Sequence, residues 1–191
     1  MFISIQQAKA QPAIPDTVKT GIYVTSIHDI DFKQKEYTIN LWLWMRYKNR
    51  DFEFDKYSTI DSSGGDYFMQ MKLQCIMKDN WSILNFPFDR QRLWFSIENS
   101  QFDATELVFS RDTLGKNYDP RFTLRGWVID SFVTSTSVKK YETAFGDPSI
   151  DTAHTEYGSY RARISLSRDA GDLFWKMFLG MYISFLISSF S

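Results

Sequence analysis

The sequence predicts an all-β domain, a sandwich of short strands, followed by one apolar helix. Three observations carry this reading. Apolar and polar residues alternate with a period of two in several segments, aromatic residues make up 17% of the chain, and no long amphipathic helix separates the alternating segments. At 191 residues the chain holds one domain with a substantial core plus a short appendage.

At the amino end, residues 1–16 read either as a polar tail with Pro12 and Pro15 or as the remnant of a secretory signal, whose A-x-A cleavage pattern Ala8, Lys9 and Ala10 resemble. The β domain is expected over 17–169. Gly21 to Asp29 reads as its first strand, and the polar stretch Asp29 to Glu36 as a hairpin loop. The clearest periodicity follows: Tyr37, Ile39, Leu41, Leu43, Met45 and Tyr47 alternate with Thr38, Asn40, Trp42, Trp44 and Arg46. The second face of that strand, with its two tryptophans, is sheet surface, a second packed layer or part of an interface.

After the turn-rich Asp61 to Gly65, Tyr67, Met69, Met71, Leu73 and Cys75 are apolar while Gln70, Lys72 and Gln74 are polar, which gives a third half-buried strand. Leu93, Phe95 and Ile97 mark a fourth. Thr105 to Phe109, Trp127 to Phe132 and Thr134 to Thr143 are further strands, and Tyr160, Ala162, Ile164 and Leu166 mark the last. Leu173 to Ser191 is almost wholly apolar or small, with Lys176 its one charge. As a helix it would be about 28 Å long, close to the thickness of a bilayer core. Residues 170–191 are therefore expected to enter a membrane.

Composition narrows the function. A formal net charge of -1, with basic and acidic residues interspersed, gives no electrostatic case for nucleic acid. The lone Cys75 excludes an intrachain disulfide and reads as a small buried residue; with only His28 and His154 beside it, no structural zinc site is expected. No phosphate-loop, dinucleotide, nucleophile-elbow or zinc-protease motif occurs, so neither an enzyme nor a cofactor is expected. Asp147 and Asp151 read as solvated loop charges.

The most informative segment is Asn85, Phe86, Pro87, Phe88, Asp89, Arg90, Gln91. Pro87 fixes the backbone and the two phenylalanines call for an apolar partner, so the segment is an ordered connection entering a strand. Asp89 is either a turn-stabilising carboxylate or half of a specific ion pair. Phe86, Pro87, Phe88 and Asp89 with Gln91 resemble the F-P-F-D-x-Q signature of the pentameric ligand-gated ion channels. The resemblance extends to Thr20–Tyr23, similar to the first strand of prokaryotic members; to Gly126, Trp127, Ile129 and Asp130; and to Tyr160–Arg168, similar to the last strand before the membrane.

The resemblance implies an immunoglobulin-like β-sandwich followed by the start of the first transmembrane helix, in a homo-oligomer, most simply a pentamer. It further implies a bacterial cell membrane with this domain on the periplasmic or extracellular side, and a small-molecule or ion ligand bound between subunits. Asp79 and Leu93 stand where eukaryotic members carry the bracketing disulfide, which prokaryotic members also lack. The W-x-P-D motif of a principal binding loop is absent, and Ser100 and Phe102 stand in the loop that usually carries a binding tryptophan. Phe145 to Tyr157 matches the capping loop, flanked by Tyr141 and Tyr157, whose rings suit stacking on a small ligand and equally suit filling a sheet surface. Trp42 and Trp44 would serve the opposing subunit's face. Asp29, Phe86, Pro87, Phe88, Asp89 and Arg168 would couple the domain to the membrane, with Asp89 paired to Arg168. The alternative is a membrane-anchored β-sandwich interaction protein without channel activity.

Overall fold

The computed structural model describes residues 14–49, 51–52, 65–146, 148, 150 and 153–189. The Ala8–Ala10 pattern and the turn residues 61–64 lie outside them. The described residues form strands β1 (Asp16–Asp31), β2 (Glu36–Tyr47), β3 (Tyr67–Lys78), β4 (Arg90–Glu98), β5 (Leu107–Arg111), β6 (Trp127–Tyr141) and β7 (Thr155–Arg168), then helix α1 (Gly171–Ser189).

Two sheets form, one in the order β3-β2-β1-β5 and the other β4-β7-β6. All pairs are antiparallel except β1 with β5, whose parallel register sets Val18 beside Phe109. The alternation read from the sequence fixes which side chains turn inward. Ile22 and Val24 pair with Leu43 and Leu41, while Leu93 and Phe95 pair with Ile164 and Ala162, and all of these are buried. They belong to one core drawn from both sheets. A hydrogen bond of 2.8 Å from the Tyr37 hydroxyl of β2 to the Trp94 carbonyl of β4 ties the layers; burial pushes that hydroxyl up from its ordinary pKa. At Gly158 a Cβ would come within 2.9 Å of the Leu107 carbonyl, so β7 passes against β5 of the other sheet at a distance only glycine allows.

Two strand expectations change. Trp127–Phe132 and Thr134–Thr143 are not separate strands but one, β6, with a bulge between Ile129 and Ser131. The extra residue flips the parity: Trp127 faces inward ahead of the bulge, Phe132 and Thr134 after it, and the sequence shows only the broken alternation. Thr105 is not in β5 but in a turn closed by its N–H donating to the Asp103 carboxylate at 2.7 Å, so that strand starts at Leu107.

The apolar C-terminal segment is a helix, as its composition predicts. Among the described residues no helix is long and apolar enough to cross a membrane. Apart from half-buried Leu173, Phe174 and Phe178, the described side chains of α1 are exposed on every side, Phe185 at 70% and Trp175 at 64%.

Candidate functional site: an ion-pair junction and an aromatic cleft

The β3–β4 connection folds through local backbone bonds, Phe86 N–H to the Ile83 carbonyl (3.1 Å) and Phe88 N–H to the Asn85 carbonyl (2.7 Å), with a cis Phe86–Pro87 peptide. The turn inverts the usual burial. Phe86 and Phe88 remain 46% and 62% exposed, whereas Asp89 is only 2% exposed. A buried carboxylate must be paired, and this one is. Arg168, the last residue of β7, donates from Nε to Asp89 Oδ1 at 2.5 Å and from Nη2 to Oδ2 at 3.0 Å, a two-pronged contact. Its backbone N–H also donates to the Asp89 carbonyl at 3.1 Å.

Gln91 supplies the third donor. Its Nε2 lies 2.9 Å from Asp89 Oδ2 and 2.7 Å from the Ser82 carbonyl, while its Oε1 accepts the Ser82 N–H at 3.2 Å. The Asp-x-Gln spacing thus fastens the start of the connection to the carboxylate at its end. Burial would raise the Asp89 carboxyl, but the hydrogen bonds from Arg168 and Gln91 and the guanidinium charge outweigh it and hold the pKa below its ordinary value.

Aromatic rings close around the cation. The Arg168 guanidinium lies 4.3 Å from the Trp127 ring, 5.1 Å from Phe86 and 5.5 Å from Phe32, each in cation–π range. Phe32, from the β1–β2 loop, stacks on Trp127 at 6.1 Å and meets Trp81 at 5.2 Å. Phe88 meets Phe174 of α1 at 5.8 Å, so one apolar partner for the exposed phenylalanines is the helix itself. The β1–β2 loop, the β3–β4 connection, the start of β6, the end of β7 and the root of α1 therefore meet at one ion pair. Asp29 sits at this end but outside the pair. It is exposed, with φ of 53°, and accepts a 2.7 Å hydrogen bond from His28 Nδ1.

At the far end of β6 and β7 lies a cleft of 330 Å³ lined by Glu98, Asn99, Ser100, Tyr141, Phe145 and Tyr157. The three aromatic rings stand 5.2 to 6.1 Å apart, edge to face. The structure thus brings Tyr141 and Tyr157 together with Phe145, the first residue of the expected capping loop, and adds Glu98, which the sequence reading missed. Glu98 accepts from the Tyr141 hydroxyl, from Lys139 Nζ at 3.2 Å and from the Ser159 hydroxyl at 3.4 Å. Burial would raise its pKa, but the donors Tyr141, Lys139 and Ser159 and the lysine charge hold it below the ordinary value. Lys139 also stands over the Tyr141 ring at 4.6 Å. The available signal was strand parity: Lys139 faces Tyr157 and Glu98 faces Ser159 across β7.

The other expected ligand residues lie elsewhere. Phe102 packs on Phe52 at 4.7 Å. Trp44 donates from Nε1 to Asp112 at 3.0 Å and lies so close over Gly21 that a Cβ there would meet its ring at 2.3 Å, so it is held as packing. Trp42 is 37% exposed on the outer face of the four-stranded sheet, with Lys72 Nζ 5.8 Å from its ring. None of the three lines the cleft. Among the described residues no group of three or more His, Cys, Asp or Glu side chains is placed to hold a metal ion. Comparison of the sequence with protein-family models and with curated proteins gives no match.

Proposed function

We propose that this chain is the extracytoplasmic ligand-sensing domain of a bacterial pentameric ligand-gated ion channel, an immunoglobulin-like β-sandwich whose α1 leads into the membrane. The observation that carries this reading is the ion pair of Asp89 with Arg168, fastened by Gln91 and placed where two loops meet the root of an apolar helix. A buried, hydrogen-bonded pair of this kind favours one packing of the loops over another, which is what a gating transition needs. The exposure of α1 on all sides supports the same reading, because a helix apolar around its circumference is stable only when lipid or protein covers it.

The cleft at Tyr141, Phe145 and Tyr157 is the proposed ligand site, separated from the junction by the length of β7 between Tyr157 and Arg168. Binding there would select one arrangement of β7 and the strands beside it. The second reading, a membrane-anchored interaction protein, draws on the internal satisfaction of Glu98 and the commitment of Trp44 and Phe102 to packing, which leave fewer groups free for a ligand.

The test is current recorded from the full-length protein in a bilayer while pH and a panel of small amines, acids and divalent ions are varied. Ligand-dependent current altered by Tyr141→Ala or Tyr157→Ala supports the sensing domain. No current despite verified insertion and assembly supports the anchored interaction protein. If Asp89→Arg, Arg168→Asp and their combination all gate as the parent does, the coupling role of the pair fails.

A further inference from the structure

The outer face of the β4-β7-β6 sheet carries cations that no carboxylate among the described residues pairs. Because Gln91, Leu93, Ala162 and Ile164 turn inward, Arg90, Arg92, Arg161 and Arg163 all turn outward. The register sets Arg92 opposite Ser165 and Trp94 opposite Arg163. Among the described residues none of these four arginines lies within ion-pair distance of a carboxylate. Like charges on adjacent strands repel, so the arrangement costs stability unless an anion relieves it. Arg163 sits over the Trp94 ring at 5.7 Å with its Nε buried and, among the described residues, without a hydrogen-bond partner.

Beside these residues a groove of 640 Å³ is lined by Arg90, Arg92, Trp94 and Ser165. Asp79 and Asp130 also reach it, but both already accept hydrogen bonds. Asp79 accepts from the N–H groups of Asn80 (2.7 Å) and Trp94 (3.2 Å), and Asp130 from the Ser167 hydroxyl (2.7 Å). The groove lining itself sets Arg90 and Arg92 against Asp79 and Asp130; over the whole face, Arg90, Arg92, Arg161, Arg163 and Lys139 against Asp79, Asp130 and Glu98 leave an excess of two positive charges.

We propose that this groove binds a phosphate group. The guanidinium forks of Arg90 and Arg92 match phosphate oxygens in geometry and charge. The Ser165 hydroxyl, across from Arg92, adds a third donor from the neighbouring strand, a convergence that suits a tetrahedral phosphate better than a planar carboxylate. The indole of Trp94 forms an apolar wall and holds Arg163 behind it, so the positive potential is fixed before the ligand arrives. The phosphate belongs either to a soluble phosphate ester or to a lipid headgroup.

The experiment titrates the purified full chain in nonionic detergent with inorganic phosphate and with glycerol phosphate at constant ionic strength, followed by tryptophan fluorescence and calorimetry. Saturable binding at one site is expected, weakened at least tenfold by Arg92→Gln, weakened less by Ser165→Ala and unchanged by the exposed-loop control Lys33→Gln. The urea midpoint of each variant shows that folding is intact. Vesicles separate the two sources: soluble ester binding with no preference for phosphatidylglycerol over phosphatidylcholine assigns a free solute, and a phosphatidylglycerol preference abolished by Arg92→Gln assigns a headgroup. No saturable binding of any of these probes, or equal binding by parent and Arg92→Gln, overturns the proposal.

Discussion

Replacing Asp89 by Asn removes one charge from the pair while keeping the shape of the turn. The side chains of Asp89 and Arg168 are 1% and 14% exposed, so the guanidinium left behind has little water to turn to. Breaking a buried pair by removing one partner costs about 3–5 kcal/mol. For a chain of this size that lowers the melting temperature by about 6–20 °C, taking about 2–4 °C per kcal/mol. Arg168→Gln strands the carboxylate instead and costs a similar amount, although it also strips the rings of Phe32, Phe86 and Trp127 of their cation. The double variant is expected to cost less than the sum of the singles, because the second change removes a charge already unpaired. The acid limb adds a second reading. Asp89 is held below its ordinary pKa, so the pair contributes fully above the unfolded value of about 3.9 and its contribution is lost as pH falls through the lower folded value. Urea denaturation of the full chain in detergent, followed by tryptophan fluorescence between neutral and acid pH, measures all three variants. A cost below about 1 kcal/mol for Asp89→Asn, in the range of an exposed pair, or strict additivity of the two singles, would refute the reasoning.

Gly21→Ala is expected to cost about 1–3 kcal/mol by overpacking, because its Cβ would meet the Trp44 ring at 2.3 Å, and Trp44→Leu in the same chain should recover part of the loss in a urea midpoint. Gly158→Ala presses on the Leu107 carbonyl and the Val108 Cα, at 2.9 and 3.3 Å, rather than on a movable side chain, so it should cost about as much and no single side-chain truncation should rescue it. Tyr141→Phe removes one donor from Glu98, at a cost of about 1–2 kcal/mol. The Glu98 carboxyl should then titrate closer to its ordinary value, read by NMR of the side-chain carboxyl; an unchanged titration would mean that Lys139 and Ser159 alone set it.

The strands were legible because their physics is local and periodic. Leu41, Leu43 and Met45 announce a buried face by alternating with larger or polar neighbours, and the register only has to match one such face to another. The β6 bulge was not legible, since a flip of parity at Asp130 looks in one dimension like the end of a strand. At the junction, sequence reasoning reached Asp89 and Arg168 through a resemblance; the residues alone favoured a turn-stabilising carboxylate. What it lacked was the cage, for Phe32, Trp81 and Trp127 come from three separate segments whose meeting depends on sheet order. The cleft was half seen for the same reason. Tyr141 and Tyr157 flank one loop and are neighbours by topology, but Glu98 arrives from β4, across β7.

Strand β7 is what relates the two ends. It is the middle strand of its sheet, hydrogen-bonded on one side to β4 along Arg90–Glu98 and on the other to β6 along Trp127–Tyr141. Its 14 residues span roughly 43 Å at the rise of an extended chain, from Thr155 beside the aromatic cleft to Arg168 in the ion pair. A strand laddered on both edges cannot lengthen or buckle without breaking many hydrogen bonds at once, so a force applied at Tyr157 has to move it as a body or shear it against β4 and β6. Gly158 abuts β5 near the cleft, while at the other end β6 carries its bulge and Arg168 is held by its ion pair, by a backbone hydrogen bond to Asp89 and by three rings. On the proposed reading, the junction is the yielding element, and the Asp89–Arg168 pair is the contact whose two packings would differ.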